Sequence, residues 1–321
     1  MSLATHLTLL RNLSIKPLLL DQNNNFTIRW LNIEFCSACN LKCKWCSLDH
    51  TKKVDKMKPE VLEKVINNIA ENKKFYLERI DLHNAGEILL HDRLREMLGV
   101  LEQKTRIAGN PAVTLLTNAT LLSDRMSKCI IESGVLDEIR FSIDGGTKKL
   151  YEEICLGAKW EEVKTNILNF IEMNQKDSKK IPRVGIICII PPDKPQATDW
   201  MEHDFKCLFS KVDNIELRYP HNWDGSVDLH VTYNQSMSRY FEVNKDKMCM
   251  FLLKNLVVLP NGDVTVCCAD LNSRGVVGNV KNSTMEDLYF SKERLNMLKL
   301  YSRNKKSEIN LCQKCTGYYP A

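Results

Sequence analysis

Three cysteines in a short span carry the clearest chemistry in this chain. Cys39, Cys43 and Cys46 have the spacing C-x3-C-x2-C and come soon after the apolar, strand-like run 28–35. Three thiolates can hold three irons of a 4Fe-4S cube, and the fourth iron is then left without a protein ligand. A substrate or cosubstrate can coordinate such an open iron and receive an electron there. The spacing therefore predicts a redox cluster that also binds a small molecule.

A further cysteine makes two other kinds of metal site possible for this segment. Cys36 lies three residues before Cys39, so the same segment also has the pattern C-x2-C-x3-C-x2-C. Four thiolates can close a tetrahedral zinc site or fully ligate an electron-transfer cluster. Short cysteine motifs recur in unrelated families, so this segment alone does not decide between the three sites.

The elements around the cysteines alternate between apolar strands and amphipathic helices. Alternation of this kind predicts an α/β fold with a parallel sheet and right-handed crossovers, and six strands suit a partial (β/α)6 barrel. Ligands of such sheets gather at the carboxyl ends of the strands. The predicted strands lie near residues 28–35, 78–84, 112–117, 138–144, 183–190 and 213–219, and the predicted helices near 58–73, 92–104, 121–133, 160–173 and 196–210.

Polar motifs follow three of the later strands. Gly86 and Glu87 follow the second strand, and Asn118 follows the third. On the fourth strand, alternation places Ser142 and Asp144 on the face opposite the apolar side chains. A turn or a solvated strand face would look the same locally, so the order and spacing of the motifs carry more weight than any one of them.

Together these motifs resemble those of the radical S-adenosylmethionine (SAM) superfamily. Trp45 before the last cysteine matches the signature, and Ala85-Gly86-Glu87-Ile88 resembles Gly-Gly-Glu-Pro without its first Gly and its Pro. Thr117-Asn118-Ala119 resembles Thr-Asn-Gly with Ala in place of Gly. The resemblance implies that the open iron chelates SAM and that one electron cleaves it to methionine and a 5′-deoxyadenosyl radical.

The resemblance also implies a set of contacts with SAM. Glu87 would pair with the methionine ammonium, Gly86 would let the backbone approach the ligand closely, and the polar end of the fourth strand would hydrogen-bond the ribose or the carboxylate. The implied SAM-binding residues are Trp45, Gly86, Glu87, Asn118, Ser142 and Asp144.

A second cysteine group stands in the C-terminal part. A predicted β-hairpin with Asn261-Gly262 at its turn is followed by a predicted helix near residues 284–300 and by a C-x2-C pair. Four thiolates suffice for a whole 4Fe-4S cube, and this arrangement resembles the shortened auxiliary-cluster domain called twitch, a truncation of the SPASM domain. A zinc ribbon is the alternative. We call the four predicted ligands the auxiliary cysteines: Cys249, Cys267, Cys312 and Cys315.

Cys268 directly follows one of the auxiliary cysteines. Strand alternation predicts that Cys267 and Cys268 point to opposite faces, so that only one of them ligates. We favour Cys267 as the ligand and expect Cys268 to pack in the core or to donate a hydrogen atom. The remaining cysteines stand in mostly apolar or helical contexts and are expected to be small core residues.

The composition of the chain limits where the protein is expected to act and which partners it is expected to have. The chain has 321 residues, 13 of them Cys, a formal net charge of +5, and no secretory signal or long apolar span. We therefore expect a cytoplasmic protein that uses its cysteines for metal and redox chemistry, with no nucleic-acid or membrane partner. The expected division is an N-terminal extension at 1–27, a barrel at 28–220, a linker and substrate-facing loop at 221–248, and an auxiliary-cluster domain at 249–321.

The expected reaction follows from the two predicted clusters. The radical removes a hydrogen atom from an unactivated C-H bond, and an auxiliary cluster can accept a second electron, which makes the net reaction an oxidation. The plan resembles radical SAM dehydrogenases of aminocyclitol biosynthesis, and more loosely the epimerases of aminoglycosides and peptides. About 27 residues precede the first strand, few for a peptide-recognition domain. We therefore expect a sugar, cyclitol or similar small molecule, with a peptide as the alternative, and an external electron donor such as flavodoxin or ferredoxin.

Candidate catalytic residues lie at the expected mouth of the barrel. A carbon radical beside a hydroxyl is oxidised more readily when a base takes the O-H proton, and an epimerase needs a thiol that returns a hydrogen atom. A non-catalytic iron-sulfur or zinc protein is the third functional class, and it predicts no SAM turnover. The candidates for the base or thiol are His83, Arg218, His221 and Cys268.

Overall fold

One continuous sheet organises the protein. The computed structural model describes residues 19–52, 54–176, 182–228 and 249–316. Within these ranges nine strands form a single sheet in the order β6-β5-β4-β3-β2-β1-β7-β8-β9. The strands are β1 Phe26–Ile33, β2 Phe75–Leu82, β3 Ala112–Thr117, β4 Glu138–Ser142, β5 Arg183–Ile189, β6 Asn214–Arg218, β7 Asn255–Val258, β8 Asp263–Thr265 and β9 Val276–Asn279.

The first six strands are parallel neighbours in chain order, which confirms the predicted partial barrel. On β4 the side chains of Ile139 and Phe141 are fully buried, whereas Arg140 and Ser142 on the opposite face are half-buried. The apolar face packs under helices, as parallel sheets require. The carboxyl ends of these strands meet at one edge of the sheet, where the cysteine loop and the polar motifs follow.

Helices cover the sheet, with three differences from the expected set. The helices at Lys148–Ile154 and Met250–Lys254 were not predicted, and the helix expected at 196–210 begins only at His203. Residues 196–201 form turns and bends instead, and the helix begins after the extended backbone of Glu202, which has ψ of 153°. The helices are α1 Pro59–Glu71, α2 Leu94–Leu101, α3 Asp124–Ser133, α4 Lys148–Ile154, α5 Trp160–Lys176, α6 His203–Phe209, α7 Met250–Lys254, α8 Met285–Tyr289 and α9 Lys292–Tyr301. No helix in the described ranges has the length and apolarity needed to span a bilayer.

The C-terminal part continues the sheet. β7 pairs in parallel with β1, and β8 and β9 follow as antiparallel neighbours. Gly262 has φ of +90° at the turn between β7 and β8, a conformation that favours glycine. The predicted helix at 284–300 is divided into α8 and α9, because the Ser291 side chain accepts a hydrogen bond from Arg294 N and begins a new helix.

Candidate active site

The loop of the first three cysteines is held by backbone hydrogen bonds on both sides. Ala38 O accepts a hydrogen bond from Glu87 N at 2.7 Å, beyond β2. Lys42 N and Lys44 N, on either side of Cys43, donate to carbonyls of residues 156 and 154 at the end of α4. The unpredicted helix α4 therefore helps to position the cysteine loop.

The three thiols of this loop lie close together and are partly buried. Burial raises the pKa of the Cys39 thiol to about 12 and that of Cys46 to about 11, and the other thiols of the loop add to the shift. These thiols become thiolates near neutral pH only with a cation beside them. No three His, Cys, Asp or Glu side chains in the described ranges lie close enough to hold a single metal ion. The three thiols suit a cube, in which each binds a different iron.

Cys36 is separate from this group. Its side chain is 1% exposed, and its backbone forms a bridge with Lys56. Its charge neighbours are Lys56, Glu34 and Glu87 rather than the three loop thiols. This position agrees with a core role and not with a fourth ligand.

Gly86 is required by the cysteine loop itself. A Cβ at this position would lie 2.0 Å from Cys36 O and 2.6 Å from Ala38 O. The close backbone approach that the sequence predicted for a ligand is thus made to the loop that carries the cysteines. Only glycine fits this contact.

The Glu87 carboxylate is buried and joins two strand ends. Oε1 accepts hydrogen bonds from Thr117 Oγ1 at 2.6 Å and from Leu89 N at 3.0 Å, and Oε2 accepts one from Asn118 N at 2.9 Å. Burial raises the pKa of this carboxyl, and the hydrogen bonds oppose the rise. These contacts fix the end of β3, and the predicted pairing of Glu87 with an ammonium stays a prediction.

The polar ends of β3 and β4 surround the cysteines. Asn118 Nδ2 lies 3.9 Å from Cys39 Sγ, and Ala119 takes the positive φ of 59° that its place in a Gly-type motif demands. Asp144 is buried; its Oδ1 accepts from Ile189 N at 2.9 Å, and burial raises its pKa to about 6. Ser142 precedes it on the same face of β4.

The four auxiliary cysteines also form one group. Cys312 lies within the electrostatic reach of the other three, and Cys249 within that of Cys267 and Cys315. Burial raises the pKa of the Cys249 thiol to about 11. The grouping matches the donor set of a second cube.

The prediction for Cys268 was based on a wrong premise. β8 ends at Thr265, and Cys267 and Cys268 lie in a turn beyond it, where strand alternation does not apply. Their two thiols are within hydrogen-bonding reach of each other rather than on opposite faces. Cys267 faces the other auxiliary cysteines.

Three hydrogen bonds connect the surroundings of the auxiliary cysteines with the first cysteine loop. Trp223 Nε1 donates to the carbonyl of Trp45 at 2.6 Å, while Asn222 Nδ2 donates to the carbonyl of Lys314 at 2.8 Å. Asn272 Nδ2 donates to Ser47 O at 2.7 Å. Trp45 and Ser47 flank Cys46, and Lys314 precedes Cys315, so neighbours of both cysteine groups are directly connected. We call residues Asn222–Asp224 the link segment.

The predicted catalytic groups of the barrel have strongly perturbed environments. Burial, together with nearby guanidinium charge, lowers the pKa of both His83 and His221 to about 4. Both rings are therefore neutral near pH 7 and are weaker bases than an ordinary histidine. Arg218 forms an ion pair with Glu216 at 2.6 Å.

Glu34, a buried carboxylate just beyond β1, was not among the predicted site residues. Its Oε2 accepts hydrogen bonds from Asn84 Nδ2 at 2.8 Å and from Ala85 N at 3.1 Å. Glu34 lines a cavity of about 410 Å³ together with Cys39 and with residues of the β7-β8 turn. An acidic residue that ends an otherwise apolar strand just before a cysteine motif was the available signal.

Comparison with known proteins identifies the family. The chain matches the radical SAM superfamily over residues 33–199 and an iron-sulfur cluster-binding domain, SPASM, over residues 249–316. The protein belongs to the radical SAM superfamily, whose cofactors are a 4Fe-4S cluster and SAM, and its C-terminal domain is of the type that holds auxiliary iron-sulfur clusters.

Individual relatives share the fold at low identity. The tungsten-containing aldehyde ferredoxin oxidoreductase cofactor-modifying protein of Pyrococcus furiosus is 23% identical over 314 residues, covering 86% of this chain and 85% of its own. BtrN in complex with AdoMet and 2-DOIA superposes with a TM-score of 0.59 at 18% identity, covering 91% of this chain and 94% of BtrN. Streptococcus suis SuiB bound to precursor peptide SuiA superposes with a TM-score of 0.63 at 16% identity, and the match covers 98% of this chain and 74% of SuiB.

Proposed function

We propose that this radical SAM enzyme carries out a two-electron oxidation of a small polar molecule, such as a sugar or cyclitol, with a single auxiliary 4Fe-4S cluster as the electron acceptor. The observation that carries the proposal is that hydrogen bonds of the link segment and of Asn272 join backbone neighbours of the two cysteine groups. An electron acceptor held near the substrate would give its radical an exit. An external donor such as flavodoxin or ferredoxin would supply the first electron.

The residues assigned to the cofactors follow from the site. The first three cysteines would hold the SAM-binding cube, and the cube together with SAM would supply the hydrogen-abstracting radical. Glu87 holds the end of β3 through Asn118 N, and Asp144, just beyond β4, accepts a hydrogen bond from Ile189 N. The auxiliary cysteines would hold the second cube.

The central test is anaerobic reconstitution and a search for products. We expect about eight irons per chain from two cubes. The protein is then incubated with SAM, a reductant and a panel of polyols, cyclitols including 2-DOIA, and peptides. Products should appear together with 5′-deoxyadenosine. BtrN was solved with 2-DOIA and SuiB with a peptide, so the panel needs both classes. Zinc in place of half the iron, with activity retained, would overturn the auxiliary cluster.

Epimerisation is the second candidate, because Cys268 is a free thiol beside the auxiliary cysteines that the predicted ligand set leaves over. Replacing Cys312 and Cys315 with Ala should leave 5′-deoxyadenosine formation largely intact while an oxidised product is lost. Cys268→Ala should change a dehydrogenase little, whereas it should stop an epimerase after hydrogen abstraction. Loss of product in Cys268→Ala with both clusters intact would decide for epimerisation, which also incorporates solvent deuterium without net oxidation.

A further inference from the structure

We propose that Glu34 is the general base that takes the hydroxyl proton of the substrate while the substrate radical is oxidised. This inference rests on the oxidation proposed above and assigns its proton transfer to a residue that no motif marks.

One oxygen of the Glu34 carboxylate is hydrogen-bonded by the protein, and the other is not. The side chain is 3% exposed, and both hydrogen bonds from Asn84 and Ala85 reach Oε2. In the described part of the chain Oε1 accepts no hydrogen bond. Oε1 is not shut off from solvent, so a ligand or a water in the cavity can reach it. The open oxygen belongs to a side chain that lines the cavity.

The cavity has the position and size for a small substrate. Its volume is about 410 Å³, within the range of small-molecule sites, and it lies between the first cysteine loop and the β7-β8 turn of the auxiliary domain. Cys39 forms part of its wall, so a molecule inside would be near the first cluster. Leu259 and Leu271 contribute apolar surface from the auxiliary side.

Burial, more than the charges around it, keeps the proton affinity of Glu34 high. Burial raises the pKa of Glu34 to about 7, and the charge of Asp270 on the auxiliary domain adds to the rise. Cys36 is its charge neighbour on the loop side. The other titratable groups that line the cavity are Asp49, His50, Lys52, Asp55 and Asp263. Asp49 Oδ1 accepts a hydrogen bond from Thr51 N, and Lys52 Nζ donates one to the carbonyl of Asn272.

The proposed step balances in atoms and electrons. SAM and its cube would supply the radical that removes the hydrogen atom of a substrate C-H bond, and the cluster held by the auxiliary cysteines would accept one electron from the resulting carbon radical. Oε1 of Glu34 takes the proton of the adjacent hydroxyl, and the C-O bond becomes C=O. A base works best with a pKa near the working pH, a condition that Glu34 meets and that His83 and His221 do not.

The test compares Glu34→Gln with Glu34→Asp, which keeps a carboxyl, and with Glu138→Gln. Glu138 is also 3% exposed, but it is paired with Arg140 at 2.7 Å. Turnover is measured with the compound that the product search identifies, deuterated at the reacting carbon. Glu34→Gln should form product about 100-fold more slowly, the lower end of general-base effects. Deuterium transfer into 5′-deoxyadenosine should be unchanged, and the rise of product rate through about pH 7 should vanish.

Two outcomes would overturn the assignment while leaving the oxidation itself in place: a product rate in Glu34→Gln within about threefold of wild type, or an unchanged pH profile. If the wild type forms no oxidised product, the proposed function fails, and infrared titration of substrate-free protein decides on Glu34 alone. A buried carboxyl band that disappears near pH 7 in wild type and is missing in Glu34→Gln is expected. Equal spectra for the two proteins would contradict the proposal.

Discussion

The close contact at Gly86 allows the sharpest test of how the first cluster is built. An Ala Cβ would lie 2.0 Å from Cys36 O, and real Cβ contacts essentially never fall under 3.0 Å. The backbone around Cys36 or Gly86 must therefore move by at least about 1 Å, since no flexible side chain can yield. Overpacking costs about 1 to 3 kcal/mol, and a backbone shift at two carbonyls places Gly86→Ala at the upper end.

We expect Gly86→Ala to lose the first cluster and keep the second. Iron after anaerobic reconstitution should fall from about eight to about four per chain, and the cluster signal with the SAM-induced spectral change should disappear. The Tm of the metal-free protein should fall by on the order of 5 °C.

Gly99→Ala is the matched control. Gly99 lies in α2, and a Cβ there would meet nothing within 4 Å. Ala is the better helix former by up to about 1 kcal/mol, so this variant should be as stable as wild type or more stable, with full iron. A Gly86→Ala protein with eight irons and an unchanged Tm would refute the reasoning.

Three other predictions concern neighbouring groups. Replacing Cys39, Cys43 and Cys46 by Ala should halve the iron and abolish SAM cleavage, and persistent 5′-deoxyadenosine formation would exclude them as ligands. Glu87→Gln should weaken SAM binding about tenfold in equilibrium titrations without cluster loss, since it removes a charged partner of the ammonium; an unchanged affinity would restrict Glu87 to holding the end of β3. Burial raises the pKa of Glu34 from its ordinary 4.5 to about 7, so the folded protein holds a proton that the unfolded chain releases, and stability falls as pH rises between these values. In denaturant unfolding, the stability of Glu34→Gln relative to wild type should therefore increase from pH 5 to pH 8, by up to about 3 kcal/mol, and a constant difference would contradict the pKa shift.

Local patterns predicted the barrel and much of the candidate site. Alternation of apolar strands and amphipathic helices specifies the parallel order, because each strand must be buried on both faces and each crossover covers one of them. The same order places Glu87, Asn118 and Asp144 at one edge of the sheet. Such features depend on residues near in sequence or on a common rule of topology.

The missed features depend on contacts between distant parts of the chain. Glu34 acquires its raised pKa from burial and from Asp270, more than two hundred residues away, and Asn272 reaches Ser47 across a similar distance. The side chains of Cys267 and Cys268 were assigned to opposite faces because the strand was taken to reach them, whereas it ends at Thr265. A window of local sequence marks Glu34 as an acidic strand end, but it shows neither the burial and charge that raise its pKa nor the point where β8 ends.

The pairing of β7 with β1 has a consequence for how such proteins can be divided or recombined. Residues 30–33 of β1 pair in parallel with residues 255–258 of β7, so the C-terminal domain supplies a neighbouring strand for the first barrel strand. A chain that stopped before β7 would expose the backbone N-H and C=O groups of a buried, apolar strand and would offer them to another molecule. We therefore expect a barrel fragment to self-associate, and a chimaera that exchanges the C-terminal domain to stay soluble only when the incoming strand matches β1 in register and shape.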